Sequence, residues 1–308
     1  MVSAGDLKAI HKTYEPPLVG EGDGARVLRF IGGSDTGLPT LDPFLMLDLS
    51  SVKLPNGFPD HPHRGFDTVA YLVSGKKLHE DFKGHKGELN PGDVQWMTAG
   101  RGIVHAEMPA SFDEPARGFA LWINLPAVHK FCDPQYQEFT KDQIPDYKNE
   151  ENGMSAKVIS GDVFDVHGPI VSKTPTYLLD FRFATAGTKY DHKIPAGWNS
   201  MLVIFEGAAK VQDTDAVLNS VNTAVFEKAD VEQVIRIEAA AENTRVLLLA
   251  GQPLNEPIAW KGPFVLNTPE ELAQAREDFD NCKNGFEARA SWNSEIKNLK
   301  FGRTEKQE

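Results

Sequence analysis

A chain of 308 residues with 41% apolar residues holds enough hydrophobic material for two ordinary domains or one large one. Its formal net charge of −12, with no basic stripe, excludes direct binding to nucleic-acid phosphates, so any action near DNA would run through a protein partner. Only two cysteines, Cys132 and Cys282, lie far apart and outside any CxxC, which excludes a disulfide scaffold and a thiolate zinc site and points to a reducing setting, cytoplasm or nucleus.

The N-terminus, MVSAGDLKAIHKTYEPPLVG, has no basic segment followed by an apolar run, so no secretory signal is expected. The longest apolar runs, near 201–205 and 246–250, are too short to cross a bilayer, and no membrane partner is expected. With 20 prolines and 26 glycines, short strands between turns are favoured over long helices. In chain order, Ala25–Ile31, 68–73, Val94–Thr98 and 119–125 read as strands, the last ended by Pro126. The stretch 141–155 (KDQIPDYKNEENGMS) is charged and poor in apolar residues, and reads as a linker between domains at 1–140 and 156–308. Beyond it, 177–183, 200–205, Thr223–Phe226, 231–237 and 244–250 read as strands again.

A weak internal repeat suggests two related β-barrels. A strand ending in Ser74-Gly75 is followed by Asn90-Pro91-Gly92-Asp93-Val94; a similar strand ending in Glu206-Gly207 is followed by Glu227-Lys228-Ala229-Asp230-Val231. The C-terminal end differs. Thr268-Pro269-Glu270-Glu271 is a capping box with proline at the first helical position. Leu272, Ala275, Phe279, Cys282 and Phe286 follow at intervals of three and four, one apolar face of a helix expected to pack on a barrel, with Asn284-Gly285 disturbing its end.

His61-Pro62-His63 carries the first chemical signal. In a strand, residues two apart share a face, so both imidazoles can enter one cavity. His105-Ala106-Glu107 offers an imidazole and a carboxylate by the same period, and a barrel would let the two pairs converge. Imidazoles plus a carboxylate suit iron, manganese, nickel, copper or zinc, and four ligands on an octahedral ion leave two positions open, as in non-haem iron oxygenases. Phe58, Phe66, Trp96, Met97 and Met108 are candidates for an apolar lining suited to a flat aromatic ligand, though such residues near strands are usually core. His79 and His85 sit in a charged loop, HEDFKGHKGE, and read as exposed; His11, His129, His167 and His192 have no partner at useful spacing and read as structural.

The runs 57–65 (GFPDHPHRG), 90–107 (NPGDVQWMTAGRGIVHAE), 134–139 (PQYQEF), 262–268 (GPFVLNT) and 284–287 (NGFE) resemble the pirin family of the cupin superfamily over nearly the whole chain. The resemblance implies an all-β bicupin: two antiparallel β-barrels and a C-terminal helix, with one iron ion (Fe2+/Fe3+) in the first barrel on His61, His63, His105 and Glu107. Asp67 stands where other cupins place their acid ligand and becomes a near neighbour. No HxH occurs at the matching place in the second half, where Trp198 stands in 194–200. Two activities follow from the resemblance. One is quercetin 2,3-dioxygenase, opening a flavonol-like small molecule with O₂, Glu107 serving as ligand and base. The alternative is a non-catalytic, iron-dependent redox sensor that co-regulates transcription through a transcription-factor partner, with loops carrying Arg64 and Arg101 responding to the metal. A monomer is expected, since two barrels can cover each other.

Overall fold

The computed structural model describes residues 6–33 and 36–301. Ala25–Ile31, Val94–Thr98 and Thr223–Phe226 form strands at the expected bounds, and the other expected strands form within three residues at either end. Phe44–Val52 is a further strand that alternation does not reveal, because all but one of its residues are buried.

The chain divides into two units that are not its two halves. One comprises Leu18–Ser34, Phe44–Lys141 and Asn255–Glu308; the other Met1–Pro17, Asp35–Pro43 and Asp142–Leu254. In the first, a seven-stranded antiparallel sheet runs Gln135–Phe139, Val94–Thr98, Phe66–Ser74, Ala116–Asn124, Phe44–Val52, Ala25–Ile31, Leu18–Glu21. A four-stranded sheet runs Phe58–His63, Ile103–Pro109, Lys77–Asp81, Lys86–Leu89. The second unit repeats this order: Ile10–Tyr14, Thr223–Phe226, Asn199–Glu206, Thr244–Gly251, Thr176–Phe183, Met154–Ser160, Asp146–Asn149, then Lys189–Ile194, Gln233–Ala239, Ala208–Val211, Val217–Asn219. These are two cupin barrels.

The expected boundaries at 140 and 156 are therefore corrected in three places. Asp146–Asn149 and Met154–Ser160, inside or beside the expected linker, are paired strands of the second barrel. Ile10–Tyr14 pairs with Thr223–Phe226 and closes that barrel's sheet. Residues 255–301 belong with the first barrel, because their apolar side chains are buried there. Phe264, Leu266, Ala275 and Phe286 form one core with Met97, Ile103 and Val104. The charged composition of 141–155 is compatible with a strand, since an edge strand needs only alternate burial.

The repeat is real but its second correspondence shifts by one strand. Gly75 and Gly207 do turn matching hairpins. The turn matching Asn90–Asp93, however, is 219–222: Asp93 N–H donates to Asn90 O at 2.9 Å, and Asn222 N–H to Asn219 O at 2.9 Å. Likewise Gly92 N–H donates to Leu72 O and Val221 N–H to Ile204 O, at 2.8 and 2.7 Å.

The helix spans Pro269–Asp280 with both capping-box bonds to Thr268 present. It stops sooner than the apolar spacing suggests. Cys282 and Asn284 have positive φ, so Phe286 reaches the core from beyond the helix. No helix among the described residues is long and apolar enough to cross a membrane.

Candidate metal centre

His61 and His63 end the Phe58–His63 strand, which runs antiparallel to Ile103–Pro109 with His105 opposite His61 and Ile103 opposite His63. Paired residues share a face, as do alternate ones, so three imidazoles project to one side. Their ring centroids are 4.3 Å (His61–His105), 4.8 Å (His61–His63) and 4.9 Å (His63–His105) apart. One nitrogen from each lies within 4.8 Å of the others. His61 Nδ1 is 2.8 Å from Pro59 O, which makes it the protonated nitrogen and leaves Nε2 with its lone pair. His63 Nδ1 and His105 Nε2 are buried without a hydrogen-bond partner. Leaving such atoms unpaired is costly, and a cation among three lone pairs removes the cost.

Burial keeps these rings neutral. It lowers His61, lowers His63 well below the ordinary imidazole value with help from His61 and His105, and brings His105 down to about 3. A neutral imidazole is the ligating form.

A bulge after His105 sets Glu107 opposite Phe58 on one side and His79 on the other. Glu107 lines the same cavity as His61 and His63. Its carboxylate accepts from Lys77 Nζ at 3.2 Å. Burial pushes the Glu107 carboxyl up, but Lys77, His105 and His61 together outweigh it and hold the group at about 2. Lys77 offered no signal at the sequence level, since a lysine beside a hairpin glycine is ordinarily solvated. Here its side chain is 10% exposed. Asp67 is fully buried and accepts from Trp96 Nε1 at 2.7 Å; it does not line the cavity.

The turn between His63 and Phe66 is held from behind. Gly65 has φ +89°, and a Cβ there would meet Val265 O at 2.0 Å, so only glycine fits. Lys130 Nζ, fully buried, donates to Gly65 O, Asn124 Oδ1 and Val265 O. Arg64 is 1% exposed, donating to Arg101 O, Asp278 and Asn284 O with its guanidinium 4.6 Å from the Phe286 ring. Of the two arginines expected on responsive loops, only Arg101 reaches the surface, where it pairs with Asp133.

His61 and His63 line a cavity of roughly 820 Å³. Of the expected lining only Phe58 contributes; Phe66, Trp96, Met97 and Met108 are core instead. Val27, Met46, Val69, Trp122 and Trp260 supply the apolar walls. Trp122 lies 5.2 Å from His63 and 6.1 Å from Trp260, centroid to centroid. Arg29, on the same wall, forms a bidentate pair with Asp48 at 2.9 and 2.7 Å and reaches Glu21 at 2.6 Å. His79 is not an exposed loop histidine. It is buried in the Lys77–Asp81 strand, accepting from Gln95 at 2.9 Å and lying 3.3 Å from Glu138. His85 is the exposed one, paired with Asp81 at 2.8 Å.

Register carries the comparison into the second barrel. His105 lies opposite His61, and Ile235 opposite His192; counting from the matched hairpin glycines, Glu107 corresponds to Ile237 and His63 to Ile194. Three of the four donor positions are isoleucine there.

The family models for Pirin and for the Pirin C-terminal cupin domain match residues 24–123 and 178–285. The chain is 47% identical over 281 residues to Pirin from Homo sapiens, covering 90% of this chain and 94% of that one. This chain belongs to the pirin family. Its resemblance extends to Pirin-like protein 2 from Arabidopsis thaliana, 43% identical over 279 residues, covering 89% of this chain and 85% of the relative. Among solved structures it is similar to quercetin 2,3-dioxygenase from Acinetobacter baumannii, with a TM-score of 0.81 at 34% identity, covering 91% of this chain and 99% of that one. In this pirin-family chain the three clustered imidazoles, two of them buried, could hold a metal ion.

Proposed function

We propose that this chain is an iron-dependent dioxygenase of the quercetin 2,3-dioxygenase type, holding one iron on His61, His63, His105 and Glu107. The observation that carries this reading is the cluster of three neutral imidazoles, of which His61 and His63 line a tryptophan-walled cavity large enough for a flavonol-like molecule. The similarity to the Acinetobacter baumannii enzyme supports it. When bound, iron (Fe2+ or Fe3+) supplies a Lewis acid and a redox partner for O₂; the same donors accept other divalent metals.

The protein's own part is binding, orientation and charge. Trp122 and Trp260 offer ring faces to a planar ligand, and Val27, Met46 and Val69 exclude water around it. Glu107, with its carboxyl held at about 2, is a poor base while it faces Lys77 and the imidazoles, so it accepts the substrate's hydroxyl proton only on moving away from them. With iron reloaded into Glu107→Gln, turnover is expected to fall by about 100-fold or more, in line with loss of a positioned base; unchanged turnover would remove Glu107 from that role. Elemental analysis of the native protein, then oxygen uptake with quercetin by anaerobically iron-loaded protein, tests the whole reading. Iron present without quercetin-dependent uptake overturns it.

One observation favours the alternative, a non-catalytic redox sensor acting through a protein partner. Arg64, next to His63, is bonded directly to Asp278 of the C-terminal helix, so a change of charge at the site has a physical route to that helix. Oxidation-dependent partner binding without turnover distinguishes this reading.

A further inference from the structure

The second barrel keeps one imidazole at the register position of His61. His192 is 5% exposed, and its Nε2 has no hydrogen-bond partner. Its Nδ1 lies 3.1 Å from Tyr190 Oη, which occupies that nitrogen and leaves Nε2 for something else. Ser200 is fully buried, and its Oγ is also without a partner. Most buried polar atoms in folded proteins are paired, and three orphans within one barrel, Thr176 Oγ1 beside Tyr177 being the third, call for an explanation.

Register places them at the counterpart of the first cavity. There, Thr68, Trp122 and Met46 are paired across three adjacent strands, and all three line the cavity. Counting back from the matched hairpin glycines, the same row in the second barrel is Ser200, Ala250 and Tyr177, paired across its equivalent strands. Tyr177 also lies 5.6 Å from the His192 ring, which links this row to the imidazole. Further aromatic rings lie beside the imidazole and Tyr177. Phe181 is 5.5 Å from His192, and Trp198 is 5.0 Å from Tyr177. Tyr177 and Trp198 are only partly buried, so this end of the barrel meets solvent.

From this juxtaposition we infer that the second barrel holds a metal-free binding site for a small uncharged phenol, its hydroxyl bonded to His192 Nε2 and Ser200 Oγ and its ring packed among Tyr177, Phe181 and Trp198. A hydroxyl both donates and accepts, so it satisfies either tautomer of His192 and the serine together. The rings supply edge and face contacts to a planar ligand. An anion is disfavoured, because the nearby Asp162 carboxylate is bonded to the Tyr177 hydroxyl and burial brings His192 down to about 4, which keeps it neutral.

The test is calorimetric titration of phenol into the full chain after metal chelation. Saturable millimolar or tighter binding is expected, retained when His61, His63 and His105 are all replaced by alanine. Ser200→Ala, which removes one oxygen and leaves the fold intact, is expected to weaken binding about fivefold, the worth of one hydrogen bond. His192→Leu is expected to abolish it. Should that variant unfold, ¹⁵N-histidine spectra of the wild type give the same information, because His192 must shift on saturation. No saturable binding overturns the proposal. So does binding that the triple alanine variant loses, which would put phenol in the first cavity, and so does binding that Ser200→Ala leaves unchanged.

Discussion

Lys77 and Glu107 show how a single pair can set the properties of a site. Both are largely withdrawn from water, and the ammonium is what keeps a carboxylate ionised beside three imidazoles in the absence of a cation. Removing one partner of such a pair leaves an uncompensated charge. Lys77→Met is therefore expected to lower the stability of the metal-free protein by about 3 kcal/mol, and metal is expected to raise the variant's melting temperature by more than it raises the wild type's. Scanning fluorimetry with and without metal checks this; equal metal-induced shifts would show that Glu107 does not exchange Lys77 for the ion. His192 gives the pH signature. Burial lowers it from 6.5 to about 4, against a small opposing pull from Asp162, with Tyr177, Tyr190 and Phe181 as its other ring neighbours. Above pH 6.5 neither folded nor unfolded chain carries this proton. As pH falls towards 4 the unfolded chain takes it first, so stability is lost across that window and levels off below it. The stability difference between wild type and His192→Leu is expected to shrink by roughly 3 kcal/mol from pH 7 to pH 4; parallel urea-unfolding curves at all pH values would contradict the buried neutral ring.

At the level of elements, the two barrels solve the same turn differently. Gly92 takes φ +94° where the first barrel's hairpin strand is capped, and Val221 takes φ +67° at the matching place. A β-branched residue in the left-handed region is strained by about 1–2 kcal/mol. Val221→Gly relieves that strain at some cost in unfolded-chain entropy. The net expectation is a gain of several tenths to about 1 kcal/mol, a rise in melting temperature of a few degrees, with no change in metal binding. A fall in melting temperature would mean that Val221's side-chain contacts outweigh the strain. The Pro269–Asp280 helix shows the opposite balance. Its capping box and apolar spacing were readable from residues, but its end was not. Cys282 continues the apolar spacing yet adopts positive φ, because burying Phe286 beside Phe264 and Phe279 requires the chain to turn there. The burial of His79 is hidden from its sequence for a related reason. Its local sequence is that of a charged loop, and only pairing with the His105–Glu107 strand and the bond from Gln95 bury it.

For the whole molecule, the consequential fact is that each barrel takes a piece from the far end of the chain. The 255–301 region supplies Phe264, Leu266, Ala275 and Phe286 to one core with Met97, Ile103 and Val104, and Lys297 binds Asp60 at 2.6 Å. A chain ending at residue 254 is expected to lose hydrogen-exchange protection in Val94–Thr98 and Ile103–Pro109, and with it metal binding, while Tyr177 to Phe183 stays protected. Protection retained in Ile103–Pro109 would show that the C-terminal piece only decorates the barrel. The strand segments, the HxH and HxE pairs, the all-β class and the helix start were legible in the residues, because period-two alternation and capping are local properties. Which strand lies beside which was not local. Tertiary pairing set His105 opposite His61, exchanged the chain ends between barrels, turned Asp67 to Trp96, drew Lys77 onto Glu107, and replaced most of the expected lining with Trp122 and Trp260. Each outcome depends on contacts between residues tens to hundreds of positions apart, and no periodicity within a single segment can encode them.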